Sequence, residues 1–371
     1  MKIYIIAGEA SGDLHASNLM KQLNKHEQGI QFRAWGGDLM RNEGAELVKH
    51  YRDLAFMGFA EVILNLRTIL NNLKFCKEDI LQFKPDALIL VDYPGFNLRI
   101  AEWAHDHGIK VLYYISPQIW AWKENRIHKI KKSVDKMFVV LPFEKDFYKK
   151  HNYDVTFTGH PLLDVIDERK REPSSFIRQN NLDSKPIIAL LPGSRKQEIS
   201  TMLPIMLSVS KQFPEYQFVV GGAPGQDASF YKQFIEGKNV SIVFGKTYDL
   251  LQNADAGMVT SGTATLEAGL FRLPQVVCYK GNKISYLIAK QLVKIKYISL
   301  VNLILDKEAV RELIQDELNA RNLVDELKAL LNNKDRISTM TADYDNLHLK
   351  LGGKGASERT ATAMLKIIKN Q

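Results

Sequence analysis

The sequence predicts an α/β protein with two doubly wound domains and a helical C-terminal tail. Short, almost uninterrupted apolar runs alternate with helix-length segments, which is typical of parallel sheets buried on both faces. This series occurs twice, and a charged stretch separates the two occurrences. The length agrees with the prediction, because 371 residues suit two domains of roughly 150–200 residues each.

The first series begins at the N-terminus. Lys2–Ala7 is a β-branched apolar run, and the polar loop Gly8–Asp13 then leads into a helix predicted from Leu14. Further strands are predicted at Ala87–Val91, Val111–Ile115 and Met137–Leu141. We assign residues 1–165 to this first domain.

The second series follows Pro186. Its predicted strands are Ile187–Leu191, Gln217–Val220, Ser241–Phe244, Gly257–Thr260 and Gln275–Tyr279. A linker is predicted near residues 164–172, in a stretch rich in charge. The second domain covers residues 166–345, and helical spacing is expected over Glu308–Leu318 and Leu323–Leu331. The tail, residues 346–371, is predicted to pack on the first domain or on a partner subunit.

Composition excludes several classes of protein. Hydrophobic residues make up 45% and charged residues 25% of the chain, which argues against disorder and coiled coil. Cys76 and Cys278 lie in no metal-ligand spacing, so a reducing cytoplasm is the expected setting. No apolar run approaches the ~20 residues needed to span a bilayer. A net charge of +8 favours anionic partners without identifying them.

Ligands of open α/β sheets bind beyond the carboxyl ends of the strands, and two such sheets facing each other would form a cleft. The loop after the first strand is therefore a candidate ligand loop, although it lacks the spacing of a dinucleotide fingerprint. Its candidate residues are Gly8, Glu9, Ser11, Gly12 and Asp13. The alternative is a tight turn in which Ser11 or Asp13 caps the following helix.

Asp92 directly follows the apolar strand Ala87–Val91. A carboxylate at that end of a strand is suited to act as a general base toward a substrate hydroxyl. The alternative is a turn-forming aspartate before Pro94. Trp120 and Trp122 follow the next strand and either stack on a sugar or base or fill the core. His160 is interpreted as a turn residue or a catalyst.

The second domain carries two loops suited to phosphate. Gly193, Ser194 and Arg195 stand between a strand and a helix, where backbone N–H groups and a guanidinium bind anions. A similar loop contains Ser261, Gly262, Thr263 and Glu267, and Glu267 could accept hydrogen bonds from a ribose. Helix capping by Thr263 or Glu267 is the alternative. No P-loop is present, and the only Asp-x-Asp, at Asp343, lies in a helical segment. We therefore expect group transfer from a nucleotide donor without a metal ion or other cofactor.

Nine sequence blocks resemble the lipid-A-disaccharide synthases, which are inverting glycosyltransferases of the GT-B type with two Rossmann-like domains facing a cleft. They occur in the family's order between residue 7 and about residue 304. The blocks are AGEASGD, FMGFAEV, DYPGFN, YYISPQIWAWKENRIHKI, LPFEKDFY, FTGHPLLD, LLPGSRKQEI, TSGTATLE and AKQLVKIKYISLVNLI.

The resemblance implies transfer of 2,3-diacylglucosamine from UDP-2,3-diacylglucosamine to the 6-hydroxyl of 2,3-diacylglucosamine 1-phosphate, giving a β(1→6) disaccharide and UDP. It makes Asp92 the base and assigns the UDP-sugar site. That site comprises Gly193, Ser194, Arg195, Ser261, Gly262, Thr263, Glu267, Asn302 and Gln315. Val301 departs from the family, which usually has proline there. The resemblance also implies a homodimer that exchanges C-terminal parts, with Gln315 serving the neighbouring subunit.

Acylated substrates imply contact with a membrane surface. Within residues 54–75, apolar residues at helical spacing lie among basic ones, which suits a helix in the interface of an anionic membrane. The predicted contact residues are Phe56, Met57, Phe59, Val62 and Leu66, and the stripe continues through Leu70 and Leu73. The alternative is an ordinary amphipathic helix on the core. The expected location is the cytoplasmic face of the inner membrane in a Gram-negative bacterium.

Two other functions stay open from the sequence. One is a different GT-B enzyme acting on UDP-N-acetylglucosamine, such as a peptidoglycan glycosyltransferase or a 2-epimerase. The other is a non-catalytic nucleotide or nucleic-acid binder, for which the net charge is weak support. The basic residues are scattered along the chain and no nucleic-acid motif is visible, so we expect no nucleic-acid partner.

Overall fold

The computed structural model describes residues 1–54, 66–166, 172–282, 286 and 295–369. These residues form two units, Met1–Asp164 with Leu351–Gln371, and Val165–Lys350. Each unit contains one parallel sheet with helices along it, as the sequence predicts. None of the helices in the described ranges is long and apolar enough to cross a membrane.

The first unit contains a seven-stranded parallel sheet. In chain order its strands are β1 Lys2–Ala7, β2 Gln31–Gly36, β3 Glu46–His50, β4 Ala87–Val91, β5 Val111–Tyr114, β6 Lys136–Val139 and β7 Val155–Phe157. Their spatial order is β3-β2-β1-β4-β5-β6-β7. Strands β1, β4 and β5 are almost completely buried. Their continuous apolar sequence therefore reflects helices on both faces of the sheet.

The second unit contains a six-stranded parallel sheet. Its strands are β8 Ile187–Leu191, β9 Gln217–Gly222, β10 Val240–Phe244, β11 Ala256–Thr260, β12 Gln275–Tyr279 and β13 Glu312–Ile314. Their spatial order is β10-β9-β8-β11-β12-β13. The expected helix over Glu308–Leu318 is wrong, because this segment contributes the edge strand β13.

Helices connect the strands in both units. In chain order the described α-helices are α1 Ala10–His26, α2 Asp38–Asn42, α3 Leu66–Phe83, α4 Pro94–Asp106, α5 Ile127–Ser133, α6 Glu144–Lys150, α7 Leu162–Ile166, α8 Pro173–Gln179, α9 Lys196–Leu207, α10 Ala228–Ile235, α11 Thr247–Asn253, α12 Thr263–Leu270, α13 Leu300–Leu305, α14 Ala320–Asn332, α15 Lys334–Lys350 and α16 Ala356–Lys369. Short 3-10 helices occur at Tyr51–Leu54, Glu124–Arg126, Ser210–Gln212 and Gln315–Glu317.

Each sheet has one point at which the strand order reverses. In the first unit it lies between β1 and β4, where Ala7 pairs with Val91. In the second unit it lies between β8 and β11, where Leu191 pairs with Val259. Loops that leave neighbouring strands in opposite directions open a crevice there, which is where α/β proteins bind ligands.

The C-terminal helix α16 belongs to the first unit and packs against α1. Its N-terminus is capped by Asp164, whose carboxylate accepts hydrogen bonds from the backbone N–H groups of Gly355, Ala356 and Ser357. The hydroxyl of Thr360 donates to Thr158 over 2.7 Å. These contacts attach the last helix to the first unit.

Candidate active site

Asp92 lies at the reversal point of the first sheet in a conformation that side chains seldom adopt. Its φ angle is +46° and that of Tyr93 is +50°. The Asp92 carbonyl oxygen accepts hydrogen bonds from the Tyr113 hydroxyl at 2.6 Å and from the Asn97 amide at 2.8 Å. Strained backbone that its surroundings hold in place is frequent at active sites. The position of the carboxylate is therefore determined by β5 and the first turn of α4.

The pKa of the Asp92 carboxyl group is raised into the range of a base that works near neutral pH. Burial is the main cause that raises its pKa to about 7, and the negative charges of Glu9 and Glu144 raise it further. A hydrogen bond from the Tyr93 backbone acts in the opposite direction. A general base is most effective when its pKa lies near the working pH. The backbone geometry and the raised pKa of Asp92 are both consistent with its predicted role, which stays a prediction.

Glu144 is a buried carboxylate that the sequence analysis did not select. It begins α6 at the carboxyl end of β6, and burial raises its pKa to about 7. Its oxygens accept hydrogen bonds from the Ser116 hydroxyl, the Trp120 indole N–H and the backbone of Val140 and Leu141. Glu144 thus ties the loop after β5 to the loop after β6. The sequence feature that could have identified Glu144 is its position just after the predicted strand Met137–Leu141. An acidic residue there is also common in the first turn of a helix, so it was not selected.

Replacing Glu9 by glutamine is expected to move the pH dependence of the reaction. If Asp92 is a general base, its ionised form is the active one, and kcat/KM rises with pH through its pKa of about 7. Removing the Glu9 charge lowers that pKa, and the rise then occurs at lower pH. Rate profiles between pH 5 and 9 measure the midpoint, with Glu78→Gln on α3 as the control. An unmoved midpoint in Glu9→Gln would show that Glu9 does not tune this group.

The loop after β1 differs from the prediction in its extent. Helix α1 begins at Ala10 rather than Leu14, so Ser11 and Gly12 form its first turn and Ser11 is exposed. A Cβ on Gly8 would lie 2.4 Å from the Tyr93 ring, so glycine is needed there for packing against the strained segment. Ala10 and Ser11 are exposed in this first turn, whereas Gly12 and Asp13 are buried.

Asp13 was predicted to line an acceptor or diphosphate loop, and its side chain has another partner. The carboxylate is buried and accepts hydrogen bonds from the backbone N–H groups of Gly37, Leu39 and Met40. These donors form the N-terminus of α2. Asp13 therefore caps a helix, as the alternative interpretation proposed. The helix that it caps is α2 and not α1, in which Asp13 itself lies.

The two tryptophans after β5 have different environments. Trp120 is half-buried, packs edge-on against Phe143 and donates to Glu144. Trp122 is 49% exposed. His160 is buried against His15, and burial lowers the pKa of both imidazoles, to about 3 and about 4 respectively. The turn interpretation of His160 fits, because its Nδ1 accepts a hydrogen bond from the backbone of Leu162.

In the second unit, Gly193, Ser194 and Arg195 follow β8 and reach the N-terminus of α9. Gly193 has a φ of +113°, and Arg195 is largely exposed. The Glu198 carboxylate accepts hydrogen bonds from the backbone N–H groups of Ser194 and Arg195. A phosphate that used the same two donors would have to displace this carboxylate, which sequence reasoning did not foresee.

The loop after β11 lies beside the loop after β8 at the second reversal point. Gly262 and Thr263 are exposed at the start of α12, and the Ser261 hydroxyl donates to the carbonyl of Ile298 over 2.9 Å. Glu267 is half-buried on the same helix and accepts a hydrogen bond from the Tyr248 hydroxyl at 3.0 Å. Burial raises the Glu267 pKa. The loop thus presents the exposed backbone of Gly262 and Thr263 together with the carboxyl group of Glu267, which Tyr248 holds in place.

Asn302 is completely buried, and both ends of its amide are engaged. Its nitrogen donates to the carbonyl of Val310 and to Glu312, and its oxygen accepts from the backbone of Ala309 and Val310. Glu312 also accepts from the backbone of Ile298 and Ser299. Through Ile298 this buried network supports Ser261. The sequence analysis did not identify Glu312 as part of the site. It also did not indicate that Asn302 acts by supporting the loop that carries Ser261.

Val301 stands in the first turn of α13, after the cap Ser299. The first N–H groups of a helix have no partner within it, so proline and valine suit this turn equally well. Val301 is buried and packs on Gly269. Helix α13 therefore forms normally with valine at position 301 in place of the family's usual proline.

Gln315 follows the edge strand β13 and has a φ of +54°. It is 8% exposed, and its side-chain nitrogen has no hydrogen-bond partner among the described residues. A buried amide without a hydrogen-bond partner lowers the stability of the fold, so native structures seldom contain one without a functional reason. The amide nitrogen of Gln315, which has no partner in the described part of the chain, is consistent with its predicted role in ligand binding.

The predicted membrane contacts fall largely outside the described residues. Phe56, Met57, Phe59 and Val62 lie outside them, as does the side chain of Leu66. On α3, Leu73 is buried with Cys76 and Ile80 in the core, so its place in the lipid-facing stripe is wrong. Leu70 is 56% and Phe75 46% exposed. Leu70 and the exposed Leu81 lie on one side of the helix, whereas Phe75 lies about 140° from Leu70 around the helix axis and packs against Trp35.

Two doubly wound parallel sheets, each with small polar loops at its reversal point, define the class of fold to which this protein belongs. Solved structures share this fold. A UDP-GlcNAc 2-epimerase from Neisseria meningitidis bound to UDP-GlcNAc matches with a TM-score of 0.67 at 13% identity, over 99% of this chain and 100% of that one. A glycotransferase of kitacinnamycin matches with a TM-score of 0.66 at 14% identity, over 98% of each chain.

The chain belongs to the lipid-A-disaccharide synthetase family, whose model matches residues 3–367. The lipid-A-disaccharide synthase of Syntrophus aciditrophicus is 40% identical over 99% of this chain and 98% of that protein. The corresponding enzyme of Psychromonas ingrahamii is 38% identical over 100% and 99%. The protein is accordingly a UDP-sugar glycosyltransferase of lipid A biosynthesis.

Proposed function

We propose that this enzyme transfers 2,3-diacylglucosamine from UDP-2,3-diacylglucosamine to the 6-hydroxyl of 2,3-diacylglucosamine 1-phosphate with inversion. The products are the β(1→6) disaccharide 1-phosphate and UDP. The observation that carries the proposal is Asp92, a strained carboxylate at a sheet reversal point whose pKa is raised to about 7. Family membership supports the choice of substrates.

The acceptor half of the reaction needs a base and little else. Ionised Asp92 removes the proton from the 6-hydroxyl as the oxygen attacks C1 of the donor sugar. The attack comes from the face opposite the leaving UDP, so configuration inverts and no covalent enzyme intermediate forms. Tyr113 and Asn97 hold the Asp92 backbone and so keep the carboxylate in position. A positioned base contributes typically 10²–10⁴-fold to the rate.

The donor half must stabilise charge that develops on UDP. We assign this role to the Arg195 guanidinium and to the N-termini of α9 and α12, because cations and unpaired N–H groups stabilise developing negative charge. Gly193, Ser194, Gly262 and Thr263 bring backbone close to the diphosphate. Glu267 is oriented by Tyr248 and receives the ribose hydroxyls. Asn302 supports the site indirectly, through the network that carries Ser261.

One assay tests the proposal. Purified protein is mixed with both acylated substrates in detergent with excess chelator, and UDP and disaccharide are measured. We expect both products in equal amounts. Their absence, with UDP still bound by the protein, would overturn the assigned substrates and leave another UDP-sugar reaction on the same fold.

We further propose that the first unit rests on the anionic cytoplasmic face of the inner membrane. Leu70 and Leu81 are exposed on one side of α3, together with the cations Arg67, Lys74 and Lys77. Apolar side chains among basic residues bind such surfaces by burial and by charge. Both substrates carry acyl chains, so a catalytic unit at the interface meets them where they reside.

The pair Leu70→Ser and Leu81→Ser is expected to weaken binding to vesicles that contain anionic lipid. Each change removes apolar area available to the membrane, while Leu73, Cys76 and Ile80 keep the helix on its core. Co-sedimentation with vesicles measures the effect. Leu349→Ser is the control, because Leu349 is 80% exposed on α15 in the second unit. Equal binding by the pair and the wild type would exclude this surface as the contact.

A further inference from the structure

A cationic cluster follows β5, outside every residue assigned above. It consists of Trp122, Lys123 and Arg126 and is called the Trp122 cluster below. The Lys123 ammonium lies 4.2 Å from the centre of the Trp122 ring, and the Arg126 guanidinium carbon lies 5.9 Å from it. Lys123 has a φ of +55°, so the backbone is bent where the cluster forms. One exposed ring thus holds two cations together.

The two cations lie together without a neutralising carboxylate. Neither Lys123 nor Arg126 has an ion pair among the described residues, although other cations of this region do. Lys129 pairs with Glu102, and Glu124, between the two cations in sequence, pairs instead with His151. Burial lowers the pKa of Lys123, and the charge of Arg126 lowers it further. Two repelling cations held by the fold attract an anion.

The cluster and the proposed base follow neighbouring strands of the first sheet. Strand β5 pairs with β4, and its loop leaves the same edge of the sheet as Asp92. The link is Tyr113, whose hydroxyl donates to the Asp92 carbonyl oxygen. The Arg126 charge reaches that hydroxyl, where it opposes the effect of burial on the Tyr113 pKa. An anion held by the cluster would therefore lie at the same edge of the sheet as Asp92.

We propose that the Trp122 cluster binds the phosphate monoester of the acceptor sugar. The proposal rests on the function proposed above, in which one sugar ring carries both a 6-hydroxyl and a 1-phosphate. Arg126 offers a planar fork of donors, Lys123 adds a point charge, and the face of Trp122 packs against the sugar. The cluster thereby selects a phosphorylated acceptor and orients its hydroxyl toward Asp92.

The test measures equilibrium binding without the donor, in neutral detergent that contains no anionic lipid. The ligands are 2,3-diacylglucosamine 1-phosphate and the same compound without its phosphate. We expect wild type to bind the phosphorylated ligand roughly tenfold or more tightly, since hydrogen bonds to charged groups are strong. Lys123→Gln with Arg126→Gln loses that preference and leaves affinity for the unphosphorylated ligand unchanged. Arg126→Lys alone keeps part of it.

The control pair Lys132→Gln with Lys145→Gln removes the same charge from exposed positions on α5 and α6 and should keep the preference. Equal loss of affinity for both ligands in the cluster variant would overturn the proposal, since it would indicate a structural role. A preference that survives while binding to anionic vesicles falls would also overturn it, in favour of a lipid headgroup surface. Turnover is measured separately, so failure of the proposed reaction does not decide this result.

Discussion

Asp92→Asn is expected to lower kcat by at least ~100-fold. Asparagine keeps the size and hydrogen-bonding outline of the side chain, and it tolerates positive φ better than most residues. It is therefore suited to the φ of +46° that position 92 requires. What it lacks is the negative charge that accepts a proton. Initial rates of UDP release at saturating substrate, from pH 6 to 9, measure the loss.

Stability provides the internal control for that loss. The folded pKa of Asp92 is raised above its usual value to about 7, so the folded state holds the proton more tightly than the unfolded state. The free energy of unfolding therefore falls as pH rises between the two values. Asp92→Asn removes this penalty, and at pH 8 its Tm should equal or exceed that of the wild type.

Asp106→Asn is the matched exposed change, because Asp106 ends the adjacent helix α4. It should retain full activity. An Asp92→Asn protein with normal Tm and normal turnover would place the base elsewhere. Glu144 would then be the first alternative to test, since its carboxyl group is also buried with a pKa of about 7.

The sequence predicted the parts of the fold that hydrophobicity determines. Central strands such as Ala87–Val91 are buried on both faces and need continuous apolar residues, which makes them visible in one sequence. Edge and outer strands need no such run. Gln31–Gly36 carries Arg33, whose guanidinium pairs with the buried Asp79, and Glu312–Ile314 is only three residues long. Both were missed because their residues do not follow the apolar pattern.

The candidate site was predictable only where a loop follows a visible strand. Asp92 and Arg195 meet that condition, and the structure places each at a reversal of strand order that the sequence alone does not reveal. Residues that act through burial were not predictable. Glu144 accepts hydrogen bonds from the side chains of Ser116 and Trp120 in another loop. Glu312 accepts them from the backbone of Ile298 and Ser299, which lie well before it in the chain. Nothing in their local sequence distinguishes them from surface carboxylates.

Arg195→Ala is expected to weaken UDP binding by roughly 10–100-fold, which is the scale of losing charge-assisted hydrogen bonds to a phosphate. The side chain is 57% exposed and its ion pair with Glu198 spans 3.5 Å. Loss of that contact costs the fold little, because exposed pairs stabilise proteins weakly. The effect should therefore appear in binding and not in Tm. Calorimetric titration with UDP measures it directly, without acylated substrate or membrane.

Two further variants separate charge from geometry at this position. Arg195→Lys keeps the charge but loses the planar fork, so its affinity for UDP should fall between wild type and Arg195→Ala. Arg178→Ala removes an exposed guanidinium from α8 of the same unit and should bind UDP normally. If Arg195→Ala also bound UDP normally, the helix N-termini alone would hold the diphosphate. The developing charge on UDP would then be stabilised by backbone N–H groups at α9 and α12, and Arg195 would have no part in donor binding.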